Sequence, residues 1–145
     1  MARNKISALI VALMVTVAAQ AQVLTGIDVL EKHGFEELKG KRVALLTNPS
    51  GIDRQIRTTI DVLNDAPEVN LVRLFGPEHG VRGDAHAGDH TADAVDPATG
   101  LKVYSLYGKY RQPTQEMLDG IDVVVYDIQD VGVRSYTFIS SLGLM

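Results

Sequence analysis

The sequence predicts an α/β fold in which a mainly parallel β-sheet carries helices on both faces. Apolar runs without polar alternation, such as 42–47 and 121–126, are typical of strands covered on both faces. Stretches with helical spacing of apolar residues separate these runs. Strands that alternate with helices favour right-handed crossovers and parallel pairing, so we expect a Rossmann-like or flavodoxin-like layered fold.

The first half of the chain is predicted to contain two helices around one strand. Thr25 and Asp28 have the spacing of a capping box and open a short helix that Gly34 ends. Strand 42–47 follows. An amphipathic helix is then predicted over 53–65, with Asp53 as its N-cap.

The second half is predicted to alternate strands with loops and shorter helices. In chain order these are strand 69–75, a long polar loop over 76–100, strand 101–106, helix 114–119, strand 121–126 and the start of a helix at 136–145. A loop as long as 76–100 inside a compact domain is usually functional or mobile. Because the chain stops within the last helix without a cap, we expect a fragment of a longer protein.

Composition excludes several classes of function. The 145 residues are 46% hydrophobic with a net charge of −4, which indicates a globular protein that does not bind nucleic acid. Without cysteine, neither a disulfide nor a thiolate metal site can form. No glycine-rich dinucleotide motif or Walker A sequence follows any predicted strand, so we expect no nucleotide cofactor and no other cofactor.

Residues 1–21 have the pattern of a secretory signal peptide. Arg3 and Lys5 precede the apolar run 6–18, and Ala19-Gln20-Ala21 resembles a cleavage site before Gln22. The alternative is a membrane anchor, but the run is shorter than the roughly 20 residues that span a bilayer. We therefore expect export to the periplasm or the cell exterior, with no stable membrane anchor after cleavage.

Polar side chains follow three predicted strands at the points where the strands end. Asn48 follows the first strand, Glu78 and His79 the second, and Asp127 with Asp130 the last. The carboxyl ends of parallel strands share one sheet edge, and two carboxyl groups facing one cleft are what glycoside hydrolysis requires. In that interpretation Glu78 is the proton donor.

Each candidate also has a structural interpretation. Glu78 could cap the next helix or pair with Arg82, and Asp127 or Asp130 could cap a helix or pair with Arg134. Asn48 and Tyr136 could donate hydrogen bonds to a sugar. A different class of function is suggested by the histidines at positions 79, 86 and 90, with Asp84 and Asp89 between them, because imidazole and carboxylate suit a divalent metal. No helical spacing aligns these histidines, so no metal site is predicted.

Four motifs in order resemble one known family. They are 46–51 (LTNPSG), 75–83 (FGPEHGVRG), 103–108 (VYSLYG) and 126–137 (YDIQDVGVRSYT). Together they are similar to motifs of the exo-β-N-acetylmuramidase family of the NamZ type. Family members are much longer than this chain. The resemblance therefore implies that residues 22–145 form the N-terminal part of a Rossmann-like catalytic domain, without the rest of that domain or the C-terminal domain.

The resemblance also implies an activity and a set of site residues. The activity is release of N-acetylmuramic acid from the non-reducing end of peptidoglycan fragments during cell-wall turnover and recycling, so the expected partner is a muropeptide or a sugar derived from peptidoglycan. Glu78 and Asp127 are the expected catalytic residues. The expected substrate-binding residues are Asn48, His79, Arg82, Gln129, Asp130, Arg134 and Tyr136.

Two points of mechanism stay open at the level of sequence. The 2-acetamido group of the sugar could attack the anomeric carbon, and the second acid would then orient the amide instead of acting as nucleophile. The lactyl carboxylate of muramic acid needs a cation, for which Arg82 and Arg134 are the candidates. The alternatives to this enzyme are a metal-dependent hydrolase that uses the histidine loop and a non-catalytic module that binds cell wall.

Overall fold

The computed structural model describes residues 23–83, 86 and 92–145. The predicted signal peptide lies outside these residues, as do Asp84, Asp89 and His90. The helices are α1 (Gly26–Lys32), α2 (Thr59–Asp65), α3 (Gln115–Leu118) and α4 (Phe138–Leu144), with a 3₁₀ turn at Glu36–Leu38. The strands are β1 (Arg42–Thr47), β2 (Asn70–Gly76), β3 (Ala94–Val95), β4 (Lys102–Ser105) and β5 (Val123–Asp127). Within the described ranges no helix combines the length and the apolar character that crossing a membrane requires.

The five strands form one sheet in the order β3-β4-β2-β1-β5. The β1–β2, β1–β5 and β2–β4 pairs are parallel, and the two-residue strand β3 runs antiparallel to β4. The four parallel strands therefore follow the order 3-2-1-4 by chain position, which is the order of the first four strands of the classic Rossmann fold. The predicted fold class is confirmed.

Both faces of the sheet are covered, and β1 lies at the centre of the core. Val43 and Leu45 belong to the cluster that packs against α1 and α2, while Ala44 and Leu46 belong to the cluster on the opposite face with α3 and α4. All four side chains are fully buried. This explains why β1 reads as continuously apolar, because neither face of the strand is in contact with solvent.

The predicted start of the second helix is wrong. Helix α2 begins at Thr59, and Thr58 is its N-cap, with a side chain that accepts a hydrogen bond from the Asp61 N–H. Asp53 instead closes the turn before the helix, because its Oδ1 accepts hydrogen bonds of 2.8 Å from the N–H groups of Gln55 and Arg57. A single aspartate can organise a turn as well as a helix start, and the two uses have the same local sequence.

The other caps follow the sequence more closely. Thr25 and Asp28 form the predicted capping box at the start of α1. Thr114 is the N-cap of α3, within the helix predicted over 114–119. The predicted long loop over 76–100 is interrupted by β3, which pairs with β4 and forms the edge of the sheet.

Candidate active site

The candidate site lies at the carboxyl ends of β2, β1 and β5, where the order of strands reverses. Strand β1 comes first in the chain and lies between two parallel neighbours, with β2 on one side and β5 on the other. Thr47 is paired with Asp127 across the β1–β5 boundary. In open α/β sheets a crevice forms at such a switch point, and ligands bind there.

Asn48 organises the loop that follows β1. Its Oδ1 accepts hydrogen bonds from the N–H of Ser50 at 2.9 Å and from the Ser50 Oγ at 2.6 Å. The Ser50 Oγ in turn accepts a bond of 2.8 Å from the N–H of Gln129, which follows β5. A chain of side-chain bonds thus spans the switch point. Asn48 is buried, and its side-chain oxygen is used by this loop.

Asp127 is held at both its main chain and its side chain. The Thr47 Oγ1 donates a hydrogen bond of 2.7 Å to the Asp127 carbonyl. The Thr59 Oγ1, at the start of α2, donates a hydrogen bond to Oδ2 of the Asp127 carboxylate. Asp127 therefore does not cap the helix that follows it in sequence. Its carboxylate instead contacts the beginning of α2, which precedes it by 68 residues.

The Glu78-His79 pair occupies a tight turn directly after β2. The Gly80 N–H donates a hydrogen bond of 3.1 Å to the Pro77 carbonyl, and both His79 and Gly80 adopt a positive φ of 74°. A positive φ in a residue other than glycine is uncommon and recurs at functional sites. Gly76 lies against this turn, because a Cβ there would be 3.3 Å from the Gly80 Cα. Glu78 is half-buried, between the sheet edge and solvent.

Arg82 is bound by two carboxylates. Its Nε donates to Asp96 Oδ1 at 2.6 Å, and its Nη2 donates to Asp96 Oδ2 at 3.0 Å and to Asp61 Oδ1 at 2.8 Å. These bonds raise the pKa of the Arg82 guanidinium and lower the pKa of both carboxyl groups. The role predicted for Arg82 in binding the lactyl group stays a prediction. Its present bonds weigh against that role, because two aspartates already occupy the guanidinium.

The predicted residues after β5 lie on an exposed segment. Gln129, Asp130, Arg134 and Tyr136 are all exposed. Asp130 accepts a hydrogen bond of 2.7 Å from the Gly132 N–H, which closes a local turn. No carboxylate among the described residues lies within ion-pair distance of Arg134. Arg134 therefore has a guanidinium that an incoming carboxylate can use.

The metal alternative depends on the histidines at positions 79, 86 and 90. Within residues 23–83, 86 and 92–145, no group of three histidine or acidic side chains could hold a metal ion. His90, Asp84 and Asp89 lie outside those residues, so the histidine loop as a whole is not described.

Sequence reasoning missed three residues that shape this region. Asp96 is almost fully buried against Arg82, and Thr59 contacts Asp127. Gly51 is packed so tightly that a Cβ there would lie 2.7 Å from the Asp127 carbonyl oxygen. Only the glycine carried a local signal, as the end of a turn after a strand. The partners of the other two residues lie far away in sequence.

Comparison with known proteins identifies the family. Residues 43–145 match the family model described as exo-beta-N-acetylmuramidase NamZ, N-terminal. Over 126 residues the chain is 50% identical to the peptidoglycan beta-N-acetylmuramidase NamZ of Bacillus subtilis (strain 168), covering 87% of this chain and 30% of that protein.

Two solved structures from Bacteroides fragilis NCTC 9343, both of DUF1343 family proteins, match the fold. One has a TM-score of 0.76 at 60% identity and the other a TM-score of 0.65 at 32% identity. Each match covers 83% of this chain and 30% of the solved chain. The chain thus spans about a third of the length of these relatives. It belongs to the NamZ exo-β-N-acetylmuramidase family and matches the N-terminal region of that family.

Proposed function

We propose that this chain supplies the acid-bearing part of an exo-acting β-N-acetylmuramidase, which releases N-acetylmuramic acid from the non-reducing end of peptidoglycan fragments in cell-wall turnover and recycling. Family membership supports a glycoside hydrolase of the cell wall. The observation that carries the finer proposal is the sheet order. It brings the loop with Glu78 and the end of β5 with Asp127 to the same edge, on the two sides of β1.

In this proposal the two acids have different roles. Glu78 protonates the leaving oxygen, since it is half-buried on a turn that projects beyond the strand. Asp127 either activates the attacking group or orients the 2-acetamido group of the substrate. Asn48 contributes its amide nitrogen, while His79, Gln129, Asp130 and Tyr136 border the sugar. We further propose that the protein is exported through the segment 1–21 and works in the periplasm or outside the cell.

The proposal is tested by turnover of two chromogenic sugars. The full-length gene product is incubated with a β-N-acetylmuramide and with the matching β-N-acetylglucosaminide. We expect release from the muramide alone, reduced at least about a hundredfold in Glu78→Gln, which keeps the side-chain shape but cannot donate a proton as an acid. Asp119→Asn, at an exposed acid between α3 and the amino end of β5, is the control. No release from either sugar by a folded wild-type protein would refute the proposal.

Recognition of the lactyl group is assigned to Arg134 and not to Arg82, since of these two candidates Arg134 alone has no carboxylate partner among the described residues. Arg134→Ala should raise KM for the muramide by about tenfold to a hundredfold, because a charged hydrogen bond to the lactyl carboxylate is lost. Binding of the glucosaminide, measured by its competition with the muramide, should change little, because that sugar has no lactyl group. An equal loss of binding with both sugars would show that Arg134 does not bind the lactyl carboxylate.

A further inference from the structure

Thr59 is a fully buried polar residue without an assigned role in the reaction. It is the first residue of α2, and none of its side chain is exposed to solvent. The hydroxyl that satisfies the start of this helix belongs to its neighbour Thr58, so Thr59 is not needed as the cap. Its Oγ1 instead donates a hydrogen bond across the molecule to the carboxylate of Asp127.

The hydrogen bond from Thr59 constrains the side-chain carboxylate of Asp127 and is not needed to hold the backbone of β5. The main chain of Asp127 is already fixed by its pairing with Thr47 in the sheet and by the bond of 2.7 Å from the Thr47 hydroxyl to its carbonyl. Among the described residues, no donor contacts Oδ1 of Asp127, whereas Oδ2 accepts from Thr59. One oxygen of the carboxylate is therefore held, and the other can interact with a substrate.

We propose that Thr59 is a positioning residue, which fixes the rotation of the Asp127 carboxylate so that its second oxygen is presented to the sugar. This inference rests on the proposed function, in which Asp127 acts on the substrate. A carboxylate that rotates freely would spend only part of its time in the productive orientation, and small errors in the placement of a catalytic group are costly to rate. The contribution of Thr59 should therefore appear in kcat.

Two substitutions separate the hydroxyl from the shape of the side chain. Thr59→Val keeps the shape and removes the donor, whereas Thr59→Ser keeps the donor and removes a methyl group. If Thr59 positions Asp127, Thr59→Val lowers kcat by about tenfold to a hundredfold with KM changed less than about threefold, and Thr59→Ser stays near wild type. If Thr59 only fills space, the order of the two variants is reversed and the inference is overturned.

A matched control and a second variant guard against a loss of folding. Thr25→Val removes the same kind of bond at the start of α1, where the Thr25 hydroxyl donates to Asp28 at 2.7 Å, and kcat should not change. Should Thr59→Val fail to fold, Thr59→Ala removes the donor with less steric demand and should show the same loss of kcat. Unchanged kcat in a folded variant without the hydroxyl would overturn the inference.

A readout without turnover separates this inference from the proposed function. Crystal structures of the full-length wild type and of Thr59→Val, under identical conditions, should show the Asp127 carboxylate in one orientation in the wild type and rotated or divided between orientations in the variant. An unchanged carboxylate would overturn the positioning role. If the wild type proves inactive on both sugars, the proposed function fails, and the crystal structures still decide whether Thr59 positions Asp127.

Discussion

Among single residues, Gly51 determines how closely two parts of the candidate site approach each other. Gly51 lies where the loop after β1 passes over the end of β5, and its N–H donates a hydrogen bond of 3.0 Å to the Asn48 carbonyl. The backbone approaches the Asp127 carbonyl so closely that no side chain fits. The distance between the β1 loop and the β5 end is therefore set by the absence of a Cβ.

Gly51→Ala should displace this loop and destabilise the protein. The added methyl group would lie 2.7 Å from the Asp127 carbonyl oxygen and even closer to the Thr47 hydroxyl. We expect the free energy of unfolding to fall by about 1–3 kcal/mol, as for other overpacked sites, and activity to fall with it. Urea unfolding measures the first effect.

Gly143→Ala is the matched control for this substitution. Gly143 lies in α4, and a Cβ there meets no atom within 4 Å. Alanine is the better helix former, so this variant should be unchanged or slightly more stable. If Gly51→Ala unfolds at the same urea concentration as the wild type, the close approach does not constrain the loop.

Among the secondary-structure elements, helix α2 and the loop 77–100 are connected by ion pairs of Arg82. Arg82 in the loop contacts Asp61 on α2 and Asp96 just after β3, so one guanidinium joins three segments. Asp96 is almost fully buried, and the Thr99 hydroxyl donates to it at 2.7 Å as well. This network connects the loop that contains Glu78 to the body of the domain.

The network should make stability depend on pH in the acid range. The hydrogen bonds from Arg82 lower the pKa of Asp96 and Asp61 below the ordinary value of 3.8. A carboxyl group whose pKa is lower in the folded state contributes stability that is present above its unfolded pKa and is lost as the pH falls through the folded pKa. We expect Arg82→Met to cost about 2 kcal/mol near neutral pH, a value below that of fully buried pairs because Arg82 is partly exposed.

The difference between wild type and Arg82→Met should therefore shrink between about pH 6 and about pH 3, because protonated aspartates no longer need the guanidinium. Urea unfolding at both values of pH measures it. Arg42→Met is the control, since the Arg42–Asp122 pair is exposed and should contribute much less. A difference that is the same at both pH values would show that Arg82 stabilises the fold by packing alone.

At the scale of the whole molecule, one central strand organises both the core and the site. β1 has a neighbour on each side and a layer of helices on each face, and its carboxyl end leads into the switch point. Helix α2 therefore packs on one face of β1, and helices α3 and α4 pack on the other face. Packing around β1 therefore determines how Asn48 and Asp127 are placed.

Leu45 and Leu46 test this arrangement, because adjacent residues of a strand point to opposite faces. Both are fully buried, and we expect Leu45→Ala and Leu46→Ala each to lower the free energy of unfolding by about 2–5 kcal/mol. Leu142→Ala, at a side chain that is 41% exposed, should have a much smaller effect. A small effect at either Leu45 or Leu46 would mean that one face of the sheet is not covered.

The fold class was predictable because it depends on patterns that are local in the chain. Continuous apolar runs locate strands that are buried on both faces, and the breaks at Asn48-Pro49 and Gly76-Pro77 locate the ends of two of them, so the positions of Asn48 and Glu78 followed directly. Asp127 was located as the first acid after the apolar run 121–126. The predicted start of α2 was wrong because an aspartate such as Asp53 can close a turn as readily as it can cap a helix. Local patterns decide which residues form an element more reliably than where it begins.

The strands, the polar residues at their carboxyl ends and, through four motifs, the family could be recognised from the order of residues alone. The folded molecule was needed to show that β1 lies between β2 and β5, that Arg82 is bound by Asp61 and Asp96, and that Thr59 contacts Asp127. These contacts join residues that are far apart along the chain. Contacts between residues 14 to 68 positions apart depend on how whole elements pack, and no local pattern records that packing.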